Sequence, residues 1–421
     1  MEQRKVTYQL YPTKKQQEQL QGQLQAHQRL YNAALEHRIW AYRSRQETVR
    51  FSQQCRELTQ LRRDDPDYQK LNAQSCQVTL KRLDLAFQHF FRRVRTRKGK
   101  AGFPRFKSLR RFSGWGYKTH GDGWRLLAGE GQRNGKLRVS GVGLITIRGR
   151  ARTPGTPKTM EIQHRQGKWY ASVTLNCEPK RQKGRLAAGL DWGTAKFSTL
   201  AFEDGCTKEI ENPRHINQAM GKLRKAQRNL SRKKRGSKNR TKARGQVARL
   251  HAQVANKRRD FLHKLSAQLI GMLALIATEK LNVKAMTSSA RGTKEDPGKN
   301  VRQKAGLNRS ILDTSPSAFL QLLRYKAEEA GVEWVEIPTR HVKPSQTCHV
   351  CGKQRRKSLS DRMHECKCGV ICGRDENAAR VMLAWALKKL SRREPAWCGG
   401  GSLDPPLKHE TPPEAPFAQV V

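Results

Sequence analysis

Four cysteines in the carboxyl-terminal third of the sequence have the spacing of a metal site. Cys348 and Cys351 form one C-x-x-C pair, and fourteen residues separate it from a second, tighter pair, Cys366 and Cys368. Thiolates with this spacing close a tetrahedral zinc site, which folds a segment too short to have a hydrophobic core of its own. The sequence therefore predicts one structural zinc ion bound by these four cysteines.

Other side chains near these cysteines offer alternative ligands. Cys372 adds a fifth thiol that competes with Cys368, and the spacing alone leaves both options open. His349 and His364 are also close in sequence, but we expect neither to bind the metal because the four thiolates are better spaced. The remaining cysteines show no pairing pattern and indicate a reducing compartment rather than a disulfide framework. They are Cys55, Cys76, Cys177, Cys206 and Cys398.

Three isolated acids occupy the ends of predicted elements. Asp191 and Glu279 each end a buried strand, and Asp375 begins a helix. Each signal is weak alone, because acids at strand ends are usually solvated and an aspartate at a helix start is often a cap. The acids are 88 and 96 residues apart, so only the fold can bring them together. Three carboxylates at one sheet edge would bind the two magnesium ions that phosphodiester hydrolysis uses, so we predict Asp191, Glu279 and Asp375 as catalytic residues.

The charge of the chain points to a polyanionic partner. Lys and Arg number 85 against 35 Asp and Glu, a formal net charge of +50. A compact protein with this excess repels itself unless a polyanion such as nucleic acid neutralises it. A solubility device and a ribosome-type RNA binder are the alternatives. The predicted nucleic-acid contacts lie at the turn of a helical hairpin and in a basic segment before the β-rich region: Arg232, Lys233, Lys234, Arg235, Lys238, Arg240, Arg105 and Lys107.

No segment indicates a membrane partner. The longest apolar run, Leu269–Ala277, has nine residues, whereas a membrane span needs about 20. Met1–Lys5 leads into polar sequence, unlike a signal peptide. We therefore expect a soluble protein of a reducing compartment.

The elements that must position these residues follow from periodicity and turn signals. An amino-terminal strand precedes two helices, of which the second buries Leu80, Leu83, Phe87, Phe90 and Val94, and a β-rich region containing a hairpin at Gln166-Gly167 follows. The later predictions are strands 186–190, 197–202, 274–278 and 332–337, a helical hairpin over 216–273 broken near Gly236, a loop over 287–312, a helix capped by Ser315 and ended by Gly331, and a last helix over 377–390.

Together these features resemble TnpB (OrfB), the transposon-encoded nucleases ancestral to compact type V CRISPR effectors. The resemblance covers roughly residues 5–392 and has one departure, Trp192, where a smaller residue is more usual. It rests on the following segments: Leu10–Thr13, Leu30–Asn32, Phe103–Lys107, Gly189–Gly193, Thr278–Leu281, Gly306–Ile311, Ser345–Gly369 and Arg374–Ala379.

The resemblance implies an α+β multidomain fold: a wedge β-barrel with a helical recognition insertion, and a RuvC (RNase H-like α/β) nuclease domain with an inserted zinc ribbon. The implied boundaries are residues 1–11 for the first strand of the wedge barrel, 12–102 for the recognition domain, 103–183 for the rest of the barrel, 184–345 for RuvC, 346–372 for the ribbon, 373–392 for the final RuvC helix and 393–421 for a disordered tail.

The resemblance also implies an RNA-guided DNA endonuclease. Its guide RNA would derive from the transposon end, its target would be double-stranded DNA beside a short transposon-adjacent motif, and one two-metal RuvC site would cut. A transposase encoded at the same locus is a further expected partner. One alternative is a guide-independent, structure-specific RuvC-type nuclease. The other is a nuclease-silent, RNA-guided DNA-binding protein, and the three acids disfavour this second alternative.

Overall fold

The computed structural model describes residues 2–97, 101–127, 134–149, 155–178, 181–293, 295–296, 298–358 and 361–391. The tail predicted over 393–421 lies outside these residues. No helix among the described residues has the length and apolarity that a membrane crossing requires.

Helices and strands alternate in blocks along the chain, as expected for an α+β protein. The described helices are α1 (Lys14–Arg45), α2 (Phe51–Asp64), α3 (Pro66–Gln69), α4 (Ala73–Thr96), α5 (His215–Ser231), α6 (Lys238–Met272), α7 (Val283–Met286), α8 (Val301–Thr314), α9 (Pro316–Ala330), α10 (Thr339–Val342) and α11 (Arg374–Ser391). The described strands are β1 (Glu2–Tyr11), β2 (Gly114–Tyr117), β3 (Trp124–Leu127), β4 (Asn134–Val139), β5 (Gly143–Arg148), β6 (Thr156–Arg165), β7 (Lys168–Cys177), β8 (Leu186–Trp192), β9 (Lys196–Phe202), β10 (Thr207–Glu211), β11 (Leu273–Glu279), β12 (Glu333–Ile337), β13 (Met363–Glu365) and β14 (Ile371–Gly373).

The chain forms two compact units. The first unit comprises residues 1–184, 213–274 and 283–332, and the second comprises residues 185–212, 275–282 and the described residues from 333 onward. The second unit is thus assembled from three separate stretches of sequence, and each stretch carries one of the three predicted catalytic acids.

The first unit contains a seven-stranded sheet with the amino-terminal strand inside it. The strand order is β2-β6-β7-β1-β5-β4-β3, and β1 pairs antiparallel with β7 and with β5. Helices α1–α4 lie between β1 and β2 in the chain. Hydrogen bonds between described strands leave β2 and β3 as the sheet ends and do not close it into the predicted barrel.

Helix α8 corrects the loop predicted over 287–312. Hydrogen bonds to residues at the end of α7 and just after it hold α8 in place. Lys304 Nζ donates to the Met286 carbonyl oxygen at 2.8 Å, and Asn308 Nδ2 donates to the carbonyl oxygens of Thr287 and Ser288 at 3.1 and 3.0 Å. A local apolar pattern does not reveal contacts of this kind, so the helix was missed.

Helix α9 begins and ends where predicted, but its amino-terminal cap differs from the prediction. Gly331 ends the helix in the left-handed conformation at φ 69°, which glycine adopts without steric cost. Ser315 occupies the capping position without a side-chain capping bond. Its hydroxyl instead donates to the Leu312 carbonyl oxygen at 3.1 Å, and Arg258 Nη1 donates to that hydroxyl at 3.1 Å.

The second unit contains a five-stranded sheet of order β10-β9-β8-β11-β12. Strands β10, β9 and β8 pair antiparallel, and β11 pairs parallel with β12. Helix α11 packs on β8, β9 and β12. The hydrophobic core between α11 and the sheet consists of Leu275, Ala277, Val335, Ile337, Met382, Leu383 and Ala386.

Gly189 permits the close packing of α11 on β8. A Cβ added at Gly189 would lie 1.9 Å from the carbonyl oxygen of Ala379 and 3.0 Å from the backbone nitrogen of Leu383. Contacts this short with backbone atoms cannot be relieved by rotating a side chain. Any side chain at this position therefore forces α11 away from the strand.

We expect Gly189→Ala to destabilise the protein by about 1–3 kcal/mol or more, because the added methyl overpacks the strand–helix contact. Thermal unfolding measures this as a lower Tm. Gly221→Ala is the matched control: Gly221 lies in α5 with no atom near its Cβ position, so alanine should stabilise that helix by up to about 1 kcal/mol. Equal Tm values for the two variants would contradict the close-packing role of Gly189.

Candidate metal centres and basic surfaces

The second unit brings Glu279 and Asp375 close enough to Asp191 for their charges to act on it. Asp191 is near the end of β8, Glu279 ends β11, and Asp375 lies in the first turn of α11. Strands β8 and β11 are neighbours in the sheet. A Cβ added at Gly193, just beyond β8, would lie 3.9 Å from Asp375 Oδ2, so the helix start faces the end of that strand.

The electrostatics of this cluster are unfavourable without a bound cation. Burial, and then the charges of Glu279 and Asp375, raise the pKa of Asp191 well above its ordinary value, while Arg374 acts in the opposite sense. Burial also raises the pKa of Glu279. Arg374 lies beside the cluster, with Nε 3.5 Å from Asp375 Oδ1. Gathered carboxylates with raised pKa values are typical of sites where a metal ion compensates the charge.

Glu376, the acid next to Asp375, has a different role. Arg380 Nε and Nη2 donate to Glu376 Oε1 at 3.1 and 2.9 Å, and Arg380 Nη2 also donates to the Gly205 carbonyl oxygen at 3.0 Å. The charge of Glu376 is therefore compensated within the protein. Of the two adjacent acids, Glu376 is thus ion-paired with Arg380, whereas Asp375 acts on Asp191.

The thiols of the four predicted zinc ligands lie together. Four Sγ atoms are all within 4.8 Å of one another: those of Cys348, Cys351, Cys366 and Cys368. Among the described residues, these are the His, Cys, Asp or Glu side chains that lie close enough together to hold a metal ion. The three acids are not part of such a group, so their role as magnesium ligands stays a prediction.

The geometry of the thiols fits zinc. Cys348 and Cys368 Sγ are 3.7 Å apart, and Cys351 and Cys366 Sγ are 3.5 Å apart. A tetrahedral site with Zn–S bonds of about 2.3 Å has S···S edges of about 3.8 Å, close to these separations. Two turns with left-handed glycines, Gly352 at φ 69° and Gly369 at φ 89°, form the knuckles that present the thiols.

Backbone hydrogen bonds prepare two of these thiols for metal binding. Burial raises the pKa of Cys348, but hydrogen bonds from the Cys351 N–H, the His364 side chain and the Val350 N–H outweigh it and bring the pKa to about 7. The N–H of Cys368 lowers the pKa of Cys366, also to about 7. Thiolates are the form that binds zinc, so these bonds reduce the cost of deprotonation.

Cys372 is outside the thiol group. It lies in β14 of the two-stranded ribbon, opposite His364 in β13, and the gathered ligand atoms are those of Cys368 instead. The geometry therefore favours Cys368 over Cys372 as a candidate ligand. The gathered group includes neither His349 nor His364.

The basic hairpin joins α5 and α6, with the break near Gly236 where predicted. Arg232, Lys233, Lys234, Arg235 and Lys238 are exposed. Cations in the first turn of α6 oppose the positive end of its helix dipole, an arrangement that a bound anion relieves.

Arg240 differs from the other basic residues of the hairpin. It is half-buried, and Nη1 donates to the carbonyl oxygens of Leu230 and Lys233 at 3.0 and 2.8 Å. These carbonyls belong to the end of α5 and the following turn. Arg240 therefore stabilises the turn of the hairpin.

Arg105 and Lys107 also differ in environment. Arg105 is exposed, whereas Lys107 is half-buried with Nζ 4.3 Å from the centre of the Tyr31 ring. Asn32 Nδ2 donates to the Lys107 carbonyl oxygen at 3.0 Å, and the Lys107 N–H donates to Asn32 Oδ1 at 2.9 Å. The segments Leu30–Asn32 and Phe103–Lys107 thus meet, and Lys107 has a structural role besides any contact with nucleic acid.

Exposed phenylalanines in α4 and in the segment after it were missed by sequence reasoning. Phe91, Phe103 and Phe106 are 57%, 47% and 53% exposed, and Val94, predicted to be buried, is 44% exposed. The neighbouring arginines are exposed as well: Arg92, Arg93, Arg95, Arg97 and Arg105. Aromatic rings among arginines can stack on unpaired bases while the guanidinium groups contact phosphates. The arginines that neighbour these phenylalanines in the sequence were the available signal, whereas helical spacing assigned Val94 to the core.

We expect Cys366→Ser to abolish stoichiometric zinc binding, because it removes one of four thiolates from the group, whereas Cys372→Ser retains it. Metal analysis of both purified variants after dialysis checks this expectation. Retention of about one zinc per chain in both variants would contradict the assigned ligand set. Loss of zinc from both variants would indicate that Cys372 is also a ligand.

The raised pKa of Asp191 also predicts a pH-dependent cost to stability. Between its ordinary value of 3.8 and its raised value, the folded state binds more protons than the unfolded state, so stability falls as pH rises through this range. In metal-free protein at pH 7.5, Asp191→Asn should therefore raise Tm. Glu376→Gln should not, because it removes the ion pair with Arg380. A lower Tm for Asp191→Asn would contradict the repulsion among the acids.

Family models match three parts of the chain. One of the OrfB type, described as "Probable transposase", matches residues 161–290. Another, described as "Cas12f1-like, TNB domain", matches residues 317–382, and one described as "Helix-turn-helix domain" matches residues 1–47. Over residues 2–47 the structure consists mainly of β1 and α1.

Two relatives extend over most of the chain. "Putative RNA-guided DNA endonuclease InsQ" of Escherichia coli (strain K12) is 34% identical over 77% of this chain and 76% of its own length. "Putative RNA-guided DNA endonuclease" of Streptomyces pristinaespiralis is 31% identical over 91% of this chain and 89% of its own length.

The fold has a counterpart among solved structures. A chain in "Cryo-EM structure of the Cas12f1-sgRNA-target DNA complex" aligns with a TM-score of 0.54 and 13% identity, over 86% of this chain and 81% of that one. This likeness concerns the fold. From the identity and coverage of the two relatives, together with the match to the OrfB-type model, the chain belongs to the TnpB (OrfB) family of transposon-encoded proteins.

Proposed function

We propose that this protein is an RNA-guided DNA endonuclease with a RuvC-type active site in its second unit. The observation that carries the proposal is the electrostatic cluster of Asp191, Glu279 and Asp375. Two relatives named "Putative RNA-guided DNA endonuclease" align with this chain over most of their own length. The five-stranded sheet with α11 packed on it would be the RNase H-like core.

Asp191, Glu279 and Asp375 would hold two magnesium ions. Carboxylate oxygens are the ligands that magnesium prefers, and burial with mutual repulsion gives the cluster a deficit of positive charge that the ions would supply. Bound in pairs, such ions activate a water molecule and stabilise the leaving oxygen of the phosphodiester. Arg374, beside Asp375, would partly balance the carboxylates when the ions are absent.

The basic surfaces would hold the nucleic acids by their backbones. In RNA-guided recognition, base pairing reads the target sequence, and the protein holds the heteroduplex mainly through its backbone and shape. The exposed residues of the α5–α6 turn and Arg105 suit this role. The seven-stranded sheet and α1–α4 would form the wedge and recognition parts, which read the transposon-adjacent motif on double-stranded DNA. The guide would be an RNA from the transposon end.

The first experiment is to sequence the RNA that co-purifies when the protein is expressed with its native flanking locus. A discrete RNA that ends in a variable segment supports guided function. Random cellular RNA, together with cleavage of branched DNA by RNA-free protein, would instead identify a guide-independent structure-specific nuclease.

We expect Asp191→Asn to reduce magnesium-dependent cleavage by about 1,000-fold or more, as for removal of an essential catalytic group. Binding of guide RNA and target DNA should persist, because the proposed nucleic-acid contacts lie elsewhere. Quantitative cleavage and filter-binding assays with the co-purified RNA measure the two effects separately.

Glu376→Gln is the matched control for this substitution, since it neutralises the adjacent, ion-paired acid, and it should retain most of the cleavage activity. Equal losses in the two variants would show that Glu376 is essential as well and would contradict its role as an ion-paired residue outside the active site. Guide-dependent DNA binding by wild type without any magnesium-dependent cleavage would identify a nuclease-silent binding protein.

A further inference from the structure

One buried amide joins the cysteine knuckle to the helix that carries Asp375. Asn377 lies two residues after Asp375 in α11 and is 0% exposed. Its Nδ2 donates to the carbonyl oxygens of Thr347 and Pro344 at 2.7 and 3.4 Å. Its Oδ1 accepts from the backbone N–H of His349 at 3.2 Å and is 3.0 Å from His349 Nδ1.

These contacts use the amide fully and fix its orientation. Two donated and two accepted bonds are the full capacity of an asparagine side chain. The reversed orientation would place Oδ1 against two carbonyl oxygens and Nδ2 against the His349 N–H, so both ends would be repulsive. The same bonds require His349 Nδ1 to carry a proton, which makes this ring nitrogen a donor to Asn377.

Two hydrogen-bond partners of Asn377 are the sequence neighbours of a predicted zinc ligand. Thr347 and His349 flank Cys348, whose side chain is buried and whose Sγ lies 3.7 Å from that of Cys368. The conformation that presents Cys348 to a metal is therefore the one that offers these carbonyl and N–H groups to Asn377. Movement of the knuckle breaks bonds to the first turns of α11.

An asparagine is a costly choice for this position unless the amide has such partners. Asparagine is a weak helix former, and a buried amide without hydrogen bonds is destabilising. The next two residues, Ala378 and Ala379, are buried and apolar. An apolar side chain would satisfy packing at position 377, but it would leave the Thr347 carbonyl and the His349 N–H without these bonds.

We propose that Asn377, with His349 as its partner, is a positioning residue that couples zinc occupancy of the four-cysteine site to the placement of Asp375 in the acidic cluster. This inference rests on the proposed role of the three acids as ligands of a divalent cation. An intact zinc site would hold residues 347–349 in place, these would hold Asn377, and the first turn of α11 would keep Asp375 facing Asp191.

The test uses full-length protein and Mn²⁺ as a paramagnetic probe of the acidic cluster, followed by electron paramagnetic resonance. Binding at the cluster is defined as the part that Asp191→Asn abolishes. Asn377→Leu should weaken it by about ten-fold or more, the usual effect of removing a group that orients metal ligands. Its zinc content should remain near one per chain, because the four thiols are unchanged.

Two further variants separate positioning from folding. His349→Phe keeps the backbone N–H bond and removes the ring bond, so it should weaken Mn²⁺ binding less than Asn377→Leu does. Met382→Ala creates a cavity in the core beneath α11, away from the ribbon. It should lower Tm while leaving Mn²⁺ affinity within about two-fold of wild type.

The coupling itself is measured with a double-mutant cycle. Cys366→Ser, which removes zinc, should weaken Mn²⁺ binding in the wild-type background but cause little further loss in the Asn377→Leu background. Additive losses would overturn the inference, as would unchanged Mn²⁺ affinity in Asn377→Leu or loss of zinc from that variant.

Failure of the proposed function gives a different result. If wild-type protein shows no Mn²⁺ binding that depends on Asp191, then the acidic cluster is not a cation site, and both the proposed active site and this coupling are overturned. Binding that depends on Asp191 but not on Asn377 overturns the coupling alone.

Discussion

The close contact between α11 and β8 is the constraint on which the acidic cluster depends. Gly189 lets the carbonyl oxygen of Ala379 approach to a distance that excludes any Cβ. Because the helix is seated so near the strand, its first turn reaches the end of β8 and brings Asp375 beside Asp191. The ion pair of Glu376 and the amide of Asn377 lie in the same part of α11, so they depend on the same contact.

Charge in this protein is distributed unevenly, in a way that matches two kinds of ligand. The chain as a whole has a formal net charge of +50, yet in the second unit the charges of Glu279 and Asp375 both act on the buried Asp191. The positive surface suits a polyanion, whereas the acidic cluster suits small cations. A magnesium-dependent nuclease needs both, because the ions must be held at the point where the nucleic-acid phosphate arrives.

Local patterns were predictable from sequence, and long-range placement was not. The cysteine pairs, the Gln166-Gly167 hairpin and the strands that carry Asp191 and Glu279 each depend on residues that are neighbours in the chain. Helix α8 was missed because carbonyl groups outside it hold it in place, and Val94 was assigned to the core because its helical spacing continues that of the buried Leu80 and Leu83. The partners of Asn377 were equally hidden, since an asparagine near a helix start is usually interpreted as a cap.

The inner position of β1 has a consequence during biosynthesis. Glu2 pairs with Cys177, which is 175 residues later in the chain, and at about 5–20 residues per second a ribosome needs roughly 10–35 s to make that segment. For most of this interval neither β5 nor β7, the two neighbours of β1 in the sheet, has been made. Its Arg4 and Lys5 hinder premature pairing with other nascent chains, because charged side chains protect open strand edges. Helices α1–α4, whose contacts are more local, are synthesised before the strands that pair with β1. The sheet of the first unit is therefore completed after these helices have been made.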